Sequence, residues 1–351
     1  MKIMKIANLK WMLSLMIIIG FASCSSNDDD EYGNWVRMSD FDGLARGSAT
    51  SFTVDNKAYV GLGFGDDDRN NDTYADGYLK DFWMYNPSKN SWTQIQDFPG
   101  VARTGAVSFA SNNSGYVGTG WDGDYRLKDF YKYDVNSGTW TKIDDFMGTA
   151  RRNAVAFTID NKGYVGTGFD GNDQKDFYKY DTQTQQWSKV SSLGSDPNGG
   201  SGGSKRQGAT AFVLNNQGYV LTGFSNGIAA NDVYAYDAEN DTWTKKRDLD
   251  WDDNELENIA VMRKNAISFV MDGTAYVGLG FNNGIQNDIW YYDEKNDDWE
   301  EKEKFEGSAR ENAVAFTLNG EGYIALGSNG SYDFDDIWKY QPWAEQDSDD
   351  N

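Results

Sequence analysis

Short apolar runs recur along the chain, divided from one another by polar turns, and the stretch from residue 154 to 190 shows the pattern. Ala154-Val155-Ala156-Phe157-Thr158-Ile159 alternates small and large side chains. Asp160-Asn161-Lys162 interrupts it, and Gly163-Tyr164-Val165-Gly166-Thr167-Gly168 follows. Asp176-Phe177-Tyr178-Lys179-Tyr180 and Trp187-Ser188-Lys189-Val190 complete the set. Alternation with a period of two, bounded by Asp, Asn and Gly, predicts four short antiparallel strands, named a to d here.

The same unit recurs six times. Tyr-x6-Trp appears at Tyr85/Trp92, Tyr133/Trp140, Tyr180/Trp187, Tyr236/Trp243 and Tyr292/Trp299. Tyr340 has the same local setting, but Asp347 stands where its Trp is due. The missing Trp is Trp35, which precedes Phe41 as Trp92 precedes Phe98, Trp140 precedes Phe146 and Trp299 precedes Phe305. A set of repeats cut in mid-unit and completed by its own N-terminus describes a ring. Repeats of roughly 40–50 residues with a fixed aromatic signature are propeller blades. The predicted fold is all-β, a six-bladed β-propeller over residues 35–341. Its last blade is closed by the N-terminal strand, with Trp35 beside the strand of Trp338 and Tyr340. Strand a is small at alternate positions in each copy (Ala49/Ser51, Ala106/Ser108, Ala154/Ala156, Ala209/Ala211, Ala266/Ser268, Ala313/Ala315), as crowding at a central axis requires.

Residues 1–23 stand outside this pattern. Lys2, Lys5 and Lys10 precede an apolar stretch from Trp11 to Ala22, too short for a membrane span, which ends at Ala22-Ser23-Cys24. This resembles a bacterial lipobox, so Cys24 is expected to carry lipid after cleavage; an ordinary signal peptide is the alternative. Residues 24–34 are acidic and are expected to tether the fold. Such a run also resembles a surface-export signal, and residues 342–351 read as an acidic tail. The expected address is the bacterial outer membrane, lipid-anchored and facing the periplasm or the cell surface. Loss of the leader leaves 29 Lys and Arg against 55 Asp and Glu, a net charge of −26. That excludes nucleic acid as a partner. The sequence has no His and one Cys, which excludes disulfides, thiolate metal sites and Ser-His catalysis in the folded part.

The Tyr-x6-Trp spacing resembles the kelch repeat over residues 35–341. One departure is consistent: a residue splits the usual glycine pair of strand b, in Gly61-Leu62-Gly63, Gly118-Thr119-Gly120, Gly166-Thr167-Gly168 and Gly278-Leu279-Gly280. Only the second glycine survives in Leu221-Thr222-Gly223 and Ala325-Leu326-Gly327. The copper chemistry of galactose oxidase-like kelch enzymes needs His and Cys ligands that this chain lacks. A more distant resemblance, to six-bladed propellers of the N-acetylneuraminate mutarotase type, implies sugar-ring opening by carboxylates and arginine; Glu255, Glu257 and Arg263 are its candidates, with Glu311 as a weaker one.

Loop lengths distinguish the faces. The a–b and c–d turns are short and uniform. The b–c and d–a loops hold all the variation, including Gly65 to Lys80, Gly194 to Ser204 and Asp250 to Val261. Variable loops on a repeated scaffold are where binding is expected. Three sets recur there: arginines opening strand a (Arg46, Arg103, Arg151, Arg206, Arg263, Arg310), aspartates opening strand c (Asp81, Asp129, Asp176, Asp232, Asp288, Asp336), and aromatics ending strand b (Phe64, Trp121, Phe169, Phe224, Phe281), with Ser328 in the sixth place. Arginines and aspartates start at one face and are placed to pair; alternatively the arginines ring the channel mouth and bind an anion. The aromatics either pack between blades or stack on sugars. The ligand set is therefore Trp121, Phe169, Phe224, Phe281, Arg151, Arg263 and Arg310. Asp66 to Asp72, Asp122 to Asp124 and Asp170 to Asp173 supply oxygen ligands for calcium or are solvated turns. No cofactor is otherwise expected. The resulting reading is a monomeric, non-catalytic lipoprotein that binds a glycan, small molecule or protein on its loop-rich face; a mutarotase is the alternative.

Overall fold

The computed structural model describes residues 32–65, 77–195, 205–249, 261–345 and 347. Among them are six four-stranded antiparallel sheets and no helix longer than a single turn. Each of the first five sheets runs a-b-c-d in chain order. The third, for example, comprises Val155–Ile159, Lys162–Gly166, Phe177–Asp181 and Gln186–Val190. The fourth carries an additional two-stranded hairpin, Phe224–Ser225 with Ile228–Ala229, on its b–c loop.

The sixth blade closes as the aromatic bookkeeping requires. Val314–Leu318, Glu321–Ala325 and Ile337–Glu345 supply strands a to c, and Tyr32–Arg37 supplies strand d. Trp35 pairs with Tyr340 and Arg37 with Trp338. Trp35 is fully buried, stacked on Tyr340 at 4.5 Å and set edge-on to Phe305 at 5.0 Å. It thus takes the place held by Trp92, Trp140, Trp187, Trp243 and Trp299, each 4.8–5.1 Å from its Tyr. The closing sheet is longer than the sequence boundaries. Its strands take in residues 32–34, read as tether, and 342–345, read as tail. The Asp347 N–H also donates to Asn34.

The wedges between blades are aromatic. Phe157 and Phe177 of the third blade pack with Tyr234, Tyr236 and Trp243 of the fourth, and the same layer repeats around the ring. In four of the six blades, strand a's Phe rests on an early glycine of strand b in the next blade, at Gly115, Gly163, Gly218 and Gly322. A methyl group at Gly115 would fall 2.2 Å from the Phe52 ring, and one at Gly163 as close to Phe109. The glycines that the sequence singled out do something else. The first of each pair faces a bulky side chain of its own blade's strand c: Gly61, Gly118 and Gly166 face Phe82, Phe130 and Phe177, and Gly278 faces Ile289. Where that glycine is lost, the partner is aliphatic: Val233 accompanies Leu221, and Ile337 accompanies Ala325.

Candidate functional site

The loop-rich face is built on the six Arg–Asp pairs. Each arginine is fully buried and forks onto the aspartate of its own blade. Arg103 reaches Asp129 at 2.5 and 2.9 Å, Arg151 reaches Asp176 at 2.6 and 3.0 Å, and Arg263 reaches Asp288 at 2.7 and 2.6 Å. Arg310 pairs with Asp336, Arg46 with Asp81 and Arg206 with Asp232. Guanidinium carbons lie 4.8–5.0 Å from the rings of Phe41, Phe98, Phe146 and Phe305, which explains the Phe that follows four of the six Trp residues. Burial pushes the carboxyls of Asp81, Asp288 and Asp336 up, but the arginine's hydrogen bonds and charge outweigh it and hold them below the usual range.

These pairs account for the split glycines. Each arginine's Nη1 also donates to the carbonyl of the residue between them, at Leu62, Thr119, Thr167, Thr222, Leu279 and Leu326, over 2.9–3.2 Å. That residue has φ between 56 and 62°, which turns its carbonyl toward the guanidinium. The second glycine follows with φ of 85–106°. A methyl group there would lie 2.6–2.9 Å from the carbonyl oxygen of the residue after the arginine, so all six copies keep it. Arg151, Arg263 and Arg310, candidates for ligand contact by sequence, therefore present no accessible guanidinium. The structure places them in the scaffold.

Two residues beyond each arginine lies a second ring that the sequence reading missed: Ser48, Gly105, Asn153, Gly208, Asn265 and Asn312. All have φ between 52 and 62°, and the common signal was the residue type, each a Ser, Gly or Asn. Each backbone N–H donates to the carbonyl of the equivalent residue in the preceding blade, over 2.8–3.2 Å, and Ser48 to Asn312 closes the circle. This ring and the alanines beside it line a cavity of about 120 Å³ at the mouth of the central channel.

Between arginine and ring lies the position at which the blades differ: Gly47, Thr104, Arg152, Gln207, Lys264 and Glu311. Each bridges through its backbone to the residue ending strand b, namely Phe64, Trp121, Phe169, Phe224, Phe281 and Ser328. The four candidate aromatics Trp121, Phe169, Phe224 and Phe281 are partly buried, and cations lie against all of them. Arg126 is 5.5 Å from the Trp121 ring and 4.9 Å from Phe169; Arg152 is 5.4 and 5.7 Å from the same two. Lys264 sits 5.3 Å from Phe224 and 5.0 Å from Phe281. Arg126 and Arg152 were not among the sequence candidates. Only the doubled Arg151-Arg152 hinted at them.

The other candidates divide. Glu255, Glu257 and Asp66 to Asp72 lie outside the described residues. Asp122 accepts the N–H groups of Asp124 and Tyr125, Asp170 those of Asn172 and Gln174, and Asp173 those of Gln207 and Asn226. Glu311 accepts from Asn265 at 2.7 Å. Among the described residues no group of three or more acidic side chains is placed to hold a metal ion. A cavity of about 630 Å³ lies away from the mouth, between the second and third blades; Lys142, Tyr180 and Gln186 are among its lining residues. It belongs to the uniform c–d hairpins and gathers none of the candidates.

The sequence is similar to the KLHDC2/KLHL20/DRC7 Kelch-repeats domain, whose family model matches residues 36–204 and 150–306. Among solved structures, that of YjhT is similar in fold, with a TM-score of 0.65 and 18% identity over 86% of this chain and 96% of that one. No curated protein matches the sequence.

Proposed function

Because the chain belongs to the KLHDC2/KLHL20/DRC7-type kelch-repeat family, we propose that it is a binding propeller, tethered by a lipid on Cys24 to the bacterial outer membrane. It takes a glycan, small-molecule or protein ligand on the loop-rich face. One observation carries this reading. Of the seven exposed large hydrophobic side chains among the described residues, six belong to b–c or d–a loops: Phe64, Val101, Tyr125, Met147, Ile228 and Tyr332. Only Trp343 lies elsewhere. A face that is both apolar at its tips and variable in its loops has the anatomy of a recognition surface.

The non-catalytic side of the reading rests on charge. Acid–base opening of a sugar needs a carboxyl whose pKa is raised toward neutrality. The described carboxyls near this face with displaced values, Asp81, Asp170, Asp288 and Asp336, are all displaced downward.

Probing a glycan array with the purified protein tests binding. Specific, saturable capture is expected, and its absence across neutral and acidic glycans removes the glycan class. Cell fractionation of Cys24→Ala tests the anchor: the variant is expected to leave the membrane fraction, and an unchanged distribution contradicts lipidation.

A further inference from the structure

We infer that Arg126 and Arg152, held between Trp121 and Phe169, form a site for an oxyanion group, a carboxylate or a sulfate, carried by the ligand of the loop-rich face. The inference rests on the loop-face reading and adds a chemical class to it.

Charge accounting singles these two residues out. Of the ten described arginines, eight are paired with a carboxylate. The six scaffold arginines are each forked onto an aspartate, Arg37 pairs with Asp40, and Arg247 pairs with Asp298. Arg126 and Arg152 are the described arginines whose side chains have neither a hydrogen bond nor an ion pair, and the Nε of each is buried without a partner. A chain with 55 acidic residues could readily have supplied a carboxylate. Two carboxylates of the adjoining loops are committed elsewhere: Asp122 caps its own turn, and Asp170 accepts from Thr149, Asn172 and Gln174.

The rings fix the two cations without consuming their donors. Each guanidinium lies within 5.7 Å of both ring centroids. Cation–π contact uses the planar face or the charge and leaves N–H groups at the edge. Backbone bridges hold the four residues in register, Arg152 with Phe169 and Trp121 with Arg126. Two like charges sharing one pair of rings repel each other, and an oxyanion accepting from both relieves that repulsion while satisfying stranded donors. The rival account is a clamp that staples the second blade to the third. The two accounts differ in sign: neutralising one arginine relieves repulsion if the pair is a site and loosens the blades if it is a clamp.

The test uses the full chain and its Arg126→Gln and Arg152→Gln variants, with Arg37→Gln as a charge-matched control in the sixth blade, where Arg37 is paired with Asp40. Calorimetry with galacturonate, galactose 6-sulfate and galactose separates carboxylate, sulfate and neutral ring. The expected result is binding of at least one acidic sugar over galactose, weakening with salt and falling about ten- to a hundredfold in each arginine variant. Arg37→Gln should bind as wild type, and Tm should hold or rise in the two site variants. Failure of both acids to bind the wild type, equal binding of galactose, or undiminished binding by the variants overturns the site. A fall in Tm with binding unchanged establishes the clamp. A ligand lost in Trp121→Ala but retained in both arginine variants would leave the loop face standing and remove the oxyanion.

Discussion

At the scale of single residues, repetition and variation carry opposite meanings. The Arg–Asp dyads repeat six times because each locks a strand-c aspartate, a d–a segment and a left-handed carbonyl into one blade. Truncating one partner leaves the other buried and unpaired, which costs about 3 kcal/mol or more. Arg151→Ala is expected to lose about that much in denaturant unfolding, and a loss under roughly 0.5 kcal/mol, the size of a surface change, would contradict it. The dyads also set the acid limit. The folded carboxyls of Asp81, Asp288 and Asp336 lie below their ordinary values. Their stabilisation is therefore complete above the unfolded pKa of about 4 and is lost as pH falls through the folded values. Unfolding measured from pH 7 downward should stay level from this source to about pH 5 and then decline. The residues that vary, Arg152 and Lys264 beside Gly47, Thr104, Gln207 and Glu311, are where specificity can reside.

At the scale of elements, the N-terminal strand is the piece whose role exceeds its length. Trp35 is fully buried between Tyr340 and Phe305, and without its strand the sixth sheet exposes an edge. Trp35→Ala should cost about 3–5 kcal/mol. Deleting residues 32–41 should lower Tm far more than deleting 348–351, and equal values would contradict closure by this strand. This element was legible in the sequence because Tyr-x6-Trp left a Trp without its Tyr at one end, Trp35, and a Tyr without its Trp at the other, Tyr340. The blades were legible for the same reason, since alternating small and large residues allow one register each. The ring of Ser48, Gly105, Asn153, Gly208, Asn265 and Asn312 was not. Its defining property is a backbone conformation, shared by three residue types with no common side-chain chemistry. Nor was the pairing of Arg126 with Arg152, because it joins a b–c loop of one blade to strand a's approach in the next.

At the scale of the molecule, the closed fold sets two faces apart. One carries uniform hairpins. The other carries the variable loops, the channel mouth ringed by backbone hydrogen bonds, six exposed hydrophobic side chains, and cations seated on aromatic rings. The net charge makes those cations conspicuous, since a positive focus in an acidic molecule steers an anionic ligand to one place. The c–d turns provide the control surface, where Asn136 is an exposed hairpin residue whose N–H donates to Asp134. The central claim, that the loop-rich face is the binding face, is tested most directly by array binding of Trp121→Ala and Asn136→Ala beside the wild type. The account predicts that Trp121→Ala weakens capture about tenfold or more at unchanged Tm, as loss of a partly buried aromatic contact does, while Asn136→Ala binds as wild type. Capture that survives Trp121→Ala and fails in Asn136→Ala would place the site on the opposite face and contradict it.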